Sequence, residues 1–145
     1  MSLVVDDHLL LDLLIGTAHG WLADETTRSA IYTTGSWYYR VASAADRGTG
    51  HGSLSGRVSA LPVDDQRAVR SRLGVLPDTI GLVGPRTLIP VMASLRSPRP
   101  LNYLSTEALA VAILTESTIA VRTDSPPLRE ASESFRIPYR VFDAA

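Results

Sequence analysis

The chain has 145 residues, 45% of them apolar, and a net charge of −1. That length makes one domain with a core of its own, and the charge supplies no global field toward nucleic acid. There is no cysteine and every basic residue is arginine, which excludes thiolate chemistry, cysteine metal sites, lysine bases and Schiff bases. No apolar run is long enough to span a bilayer, and Met1 to Asp6 lacks the basic flank and cleavage site of a signal peptide. A cytoplasmic protein is expected.

Leu3-Val4-Val5 reads as a short buried strand that stops at Asp6-Asp7-His8. Asp7 is the expected cap of the next helix, whose Leu9, Leu10, Leu13 and Leu14 recur at helical spacing, with Gly16 as its stop. Capping is the alternative for Asp6 as well, but at the strand's end a site role is put ahead of it. His8 and His19 have no ligand-like partner at fixed spacing and read as solvated or core-satisfied.

Residues 23 to 45 read as helical, with Asp24 or Thr26 as candidate caps. Thr33-Thr34-Gly35 weakens that helix and predicts a break or two helices. Tyr32, Trp37, Tyr38 and Tyr39 suit a core or a dimer face better than a stacking platform for bases. Arg47 to Arg57, with four glycines, reads as a mobile loop, in which Arg47, His51 and Arg57 suit a solvated loop better than contact with a polyanion. With no lysine and no strand leading in, it is not a phosphate-binding P-loop.

Pro62 to Leu73 is a helix opened by Asp64 and Asp65 and closed by Arg67, Arg70 and Arg72. A strand at Ile80 to Val83 and a helix opened by Pro85, interrupted by Pro90, follow. Ser97-Pro98-Arg99-Pro100 is an extended connector. Ser105 then caps a helix over Thr106 to Thr115 with Glu107 in its first turn. Thr118 to Val121 is a strand with Asp124 just beyond it, Ser125-Pro126 opens another helix, and Tyr139 to Phe142 is the last strand. Strands alternating with helices predict a single α/β domain, with a mostly parallel central sheet flanked by helices in three layers.

If the strands of Leu3 and Thr118 are neighbours, Asp6 and Asp124 meet at one edge, and Glu107 leans into the same space. Ligands gather at the carboxyl ends of such strands. Hard carboxylate oxygens of this kind suit Mg²⁺ or Mn²⁺ and metal-assisted attack on a phosphodiester. For Glu107 and Asp124 the alternative is that each favours its own helix dipole.

The opening VVDDH resembles the acidic pocket of response-regulator receiver domains, but a receiver needs a late lysine that this chain does not have. A broader resemblance is to PIN domains, the fold of many toxin–antitoxin ribonucleases. It is carried by Leu3 to Asp6, by Leu104-Ser105-Thr106-Glu107-Ala108-Leu109, by Thr123-Asp124 with Leu128, and by Ile137-Pro138-Tyr139. The resemblance implies a parallel sheet flanked by helices and metal-dependent cleavage of single-stranded RNA, with Asp6, Glu107 and Asp124 as catalytic metal ligands. It also implies an acid on an early helix, where Tyr38-Tyr39-Arg40-Val41 puts Arg40 instead. Either Arg40 pairs with Asp6 or Asp124 and replaces the cation, or it lies a helical step away and faces solvent. Three functions follow as expectations: a divergent endoribonuclease, a catalytically silent PIN-like module binding RNA or an antitoxin-like protein, or a homodimerisation domain built on Trp37 and its tyrosine neighbours.

Overall fold

The computed structural model describes residues 1–16 and 20–142. Five strands, β1 (Ser2–Val5), β2 (Ala30–Tyr32), β3 (Ile80–Gly81), β4 (Thr118–Val121) and β5 (Tyr139–Val141), form one sheet in the order β3-β2-β1-β4-β5. Every pairing is parallel. The helices are α1 (Asp7–Ile15), α2 (Gly20–Arg28), α3 (Gly35–Arg47), α4 (Ser53–Ser59), α5 (Val63–Gly74), α6 (Pro85–Ser94), α7 (Tyr103–Thr115) and α8 (Pro126–Ser134). The expected α/β architecture is the one found.

Strand alternation divides the core in two. Leu3, Val5 and Ala120 pack with Leu9, Leu10 and Leu14 of α1, Val41 and Ala44 of α3, and Val69 and Leu73 of α5. On the other face Val4, Ile119 and Val121 pack with Leu88 and Met92 of α6, Ala108, Leu109 and Val111 of α7, and Leu128 and Ala131 of α8. Around β1 and β4 both faces are therefore dry, which is why these two central strands read as short apolar runs. Small residues in α7 let it approach β1 and β4 closely.

Several elements differ from expectation. The stretch read as a helix broken near Gly35 contains the whole of β2, whose Leu3↔Ile31 register places it beside β1. Its two breakers have specific work. The Thr33 hydroxyl donates to the Val5 carbonyl at 2.9 Å, and Thr34 caps α3 by accepting from the Trp37 N–H at 3.1 Å. Asp24 and Thr26, read as caps, lie inside α2. The glycine-rich stretch contains α4, anchored by buried Leu54 and Val58. The third strand is only Ile80–Gly81, and α7 begins three residues early because Asn102, not Ser105, caps it by accepting from the Ser105 N–H at 2.8 Å. Trp37 is core, so it offers no dimer face, and the Tyr38 hydroxyl donates to the Leu73 carbonyl to tie α3 to α5. Tyr39 alone of the three is exposed.

Candidate functional site

The strand order turns at β1: the chain runs outward from β1 through β2 to β3, then crosses to β4 on the other side. In open parallel sheets ligands bind outside the carboxyl ends of the strands at such a turning point. Here those ends are Asp6 after β1, Thr33-Thr34 after β2 and Arg122 to Asp124 after β4.

Asp6 has extended backbone and caps α1: its Oδ1 accepts from the Leu9 N–H at 2.9 Å. Its Oδ2 accepts from the Arg122 N–H at 3.0 Å, and the Asp6 N–H donates to the Ala120 carbonyl at 3.1 Å. The cap is thus Asp6 and not Asp7, one residue earlier than expected. Burial pushes the Asp6 carboxyl up to about 7, helped by the charges of Asp7 and Asp12 and opposed by its two backbone donors. Asp7, in the first turn, accepts from its neighbour His8 N–H and from Arg40 Nε, each at 2.8 Å. Arg40 does point into this edge, as one alternative held, but its partner is Asp7 rather than Asp6 or Asp124.

Asp12, five residues further along α1, is the centre of the arrangement. Arg122 Nη1 donates to its two oxygens at 2.8 and 2.9 Å, and Arg57 Nη2 donates to Oδ1. Arg57 also reaches the His8 carbonyl at 3.2 Å and His8 Nδ1 at 3.0 Å. Because a guanidinium only donates, Nδ1 accepts, and neutral His8 carries its proton on Nε2, 3.2 Å from Ser53 Oγ. Burial lowers the His8 pKa, as do Arg57 and Arg122, against the pull of Asp7. This tautomer cannot take a proton from Ser53, so the pair is not a nucleophile with its base. Arg57, read as solvated, and His8, read as solvated or core-satisfied, are members of the network. His19 lies outside the described residues.

Glu107 is buried and reaches the same side of the sheet by another route. It sits in the second turn of α7, and its Oε1 accepts from the Ser36 N–H at 2.9 Å, in the first turn of α3. The dipole it serves is that of α3, not of its own helix. Asp124 accepts from the Tyr139 hydroxyl at 3.0 Å and from Arg129. Burial raises the Tyr139 pKa to about 12, with the Asp124 contact adding to it.

The three acids expected to hold a metal therefore sit where the carboxyl edge places them, but each is turned to a different partner. Among the described residues, no three His, Asp or Glu side chains gather as a metal-binding group. Asp6 and Glu107 accept from backbone N–H groups, and of the three only Asp124 is bonded to a guanidinium among the described residues, that of Arg129. A groove of about 510 Å³ beside α8, lined by Pro98, Pro100, Leu101, Pro126 and Ala131 among others, contains none of these acids.

Asp12 and Arg122 are the site residues that sequence reading missed. The available signal was a single acid inside an otherwise apolar helix, Leu9-Leu10-Leu11-Asp12-Leu13-Leu14, since a buried carboxylate needs a cation or several donors. No described helix is long and apolar enough to cross a membrane. Comparison with protein-family models, with curated proteins and with solved structures finds no match.

Proposed function

We propose that this chain is a catalytically silent PIN-like module that binds RNA or a protein partner. Arginine at the carboxyl edge supplies the positive charge that a divalent cation would otherwise bring. The observation that carries this is Asp12 held between Arg57 and Arg122, with Asp7 held by Arg40 beside it. Guanidinium groups satisfy carboxylates geometrically and repel an incoming dication. A cysteine-free chain of this kind suits the cytoplasm. The test is incubation of a single-stranded RNA with the protein in Mg²⁺ and in Mn²⁺. No cleavage by the wild type is expected, and turnover abolished by chelator would refute the silent reading.

A second reading, a divergent toxin-type endoribonuclease using Asp6, Glu107 and Asp124, is favoured by one feature. A buried carboxyl raised to about 7 at the end of β1 is the kind of perturbed group that marks working sites. An arriving Mg²⁺ or Mn²⁺ would deprotonate it and gain a ligand. Chelator-sensitive RNA cleavage lost in Asp6→Asn would establish this reading in place of the first.

A further inference from the structure

We propose that the edge where β1 and β4 meet is an oxyanion site that takes a phosphate monoester directly on arginine. This rests on the edge being arginine-neutralised and not metal-loaded. The argument is an inventory of donors and acceptors. Both carboxylate oxygens of Asp6, Asp7 and Asp12 already accept at least one hydrogen bond each. Every carboxylate oxygen of these three acids thus has a partner, whereas several guanidinium N–H groups have none among the described residues. A guanidinium has about five N–H donors, and Arg40 uses only its Nε, with neither terminal nitrogen bonded to protein among the described residues. Among the described residues Arg122 uses only Nη1 of its side chain, and Arg57 leaves its Nε.

The acids are the more buried partners. The side chains of Asp7 and Asp12 are 11% exposed, against 40% for Arg40, 25% for Arg57 and 24% for Arg122. Carboxylates behind thus hold guanidinium groups in front, which fixes the arginine forks before any ligand arrives. Ser53 adds a further donor: its oxygen accepts from His8 Nε2, which leaves its own O–H for an outside acceptor. The set is rich in donors and carries three guanidinium groups around the first two turns of α1. A terminal phosphate presents three oxygens and close to two charges, whereas a diester presents two free oxygens and one charge. The monoester is the better match.

The test is a titration of the ¹⁵N-labelled wild-type protein with phenyl phosphate and, separately, dimethyl phosphate, at constant ionic strength, reading the arginine Nε–H signals. Saturable shifts at Arg40, Arg57 and Arg122 are expected with phenyl phosphate, and binding of dimethyl phosphate at least about tenfold weaker. Arg40→Lys and Arg122→Lys keep the charge but lose the fork, and each should weaken phenyl phosphate binding about tenfold. Because the wild type is read directly, the result does not depend on the variants folding. Absence of saturation, or equal shifts at the exposed Arg86, Arg96 and Arg136, overturns the proposal. Equal binding of the diester overturns the monoester assignment. Mn²⁺ uptake at the edge overturns this proposal and the neutralised edge together, whereas a protein that takes neither Mn²⁺ nor phosphate overturns the oxyanion site alone.

Discussion

Arg122 binds Asp6 across 116 residues of chain: its backbone N–H donates to Asp6 Oδ2 at 3.0 Å. The same residue's guanidinium grips Asp12, so one arginine at the end of β4 fixes both a cap and a buried charge at the start of α1.

Asp6 gives a pH signature. Its folded pKa of about 7 lies above the ordinary 3.8, so between those values the folded state holds a proton that the unfolded state has released. Stability from this group is therefore full below about pH 4 and falls as pH rises to about 7. His8 runs the other way, since its lowered pKa makes the folded state lose stability below the ordinary 6.5. Thermal unfolding of wild type and Asp6→Asn across pH 4 to 8 isolates the first effect. The wild type's stability relative to the variant should decline up to about pH 7 and then level off. A difference independent of pH would show that Asp6 is ionised throughout.

Asp12→Ala leaves Arg57 and Arg122 largely buried without their anion. It should cost about 3–5 kcal/mol in urea unfolding. The Arg99–Glu130 pair, 80% and 52% exposed at the side chains, is the internal contrast. Glu130→Ala should change stability by no more than about 1 kcal/mol. Equal losses in the two variants would mean that the network around Asp12 is not a buried one.

Much of this fold was legible, and the failures have physical causes. β1, β4, α8 and β5 announce themselves locally, through apolar runs of strand length and a Ser-Pro helix start. β2 did not, because three residues between two helices carry too little pattern to outweigh the helical context, and their pairing with β1 is a long-range choice. Asp6 and Asp7 were both seen, but which of them caps α1 depends on where β1 ends, a one-residue question decided by the sheet. Arg40 was seen as displaced from an acidic pattern, yet its partner depends on how α3 lies across α1. The links from Asp12 to Arg57 and Arg122 span 45 and 110 residues, and no spacing rule connects them.

Trp37 provides a test of where the aromatic cluster belongs. It is 4% exposed in the core shared by α6, α7 and α8, whereas Tyr39 is 62% exposed. Trp37→Ala should cost about 3–5 kcal/mol, and Tyr39→Ala about 0.5 kcal/mol or less. Solution mass should be the same for wild type and Tyr39→Ala if no dimer forms through this face.

Glu107 should report on α3 and not on a metal. Removing its carboxylate exposes the Ser36 N–H donor at the start of that helix. Glu107→Ala is expected to lose about 1–3 kcal/mol and to accelerate amide hydrogen exchange in the first turn of α3. Unchanged exchange there would leave Glu107 free for another role.

Calorimetric titration of the wild-type protein with Mn²⁺ tests most directly whether arginine has taken the cation's place at the carboxyl edge. No stoichiometric heat is expected from the wild type, and uptake is expected to appear in Arg40→Glu, where one guanidinium is exchanged for a carboxylate. One-to-one binding of Mn²⁺ by the wild type, abolished in Asp6→Asn, would contradict the account.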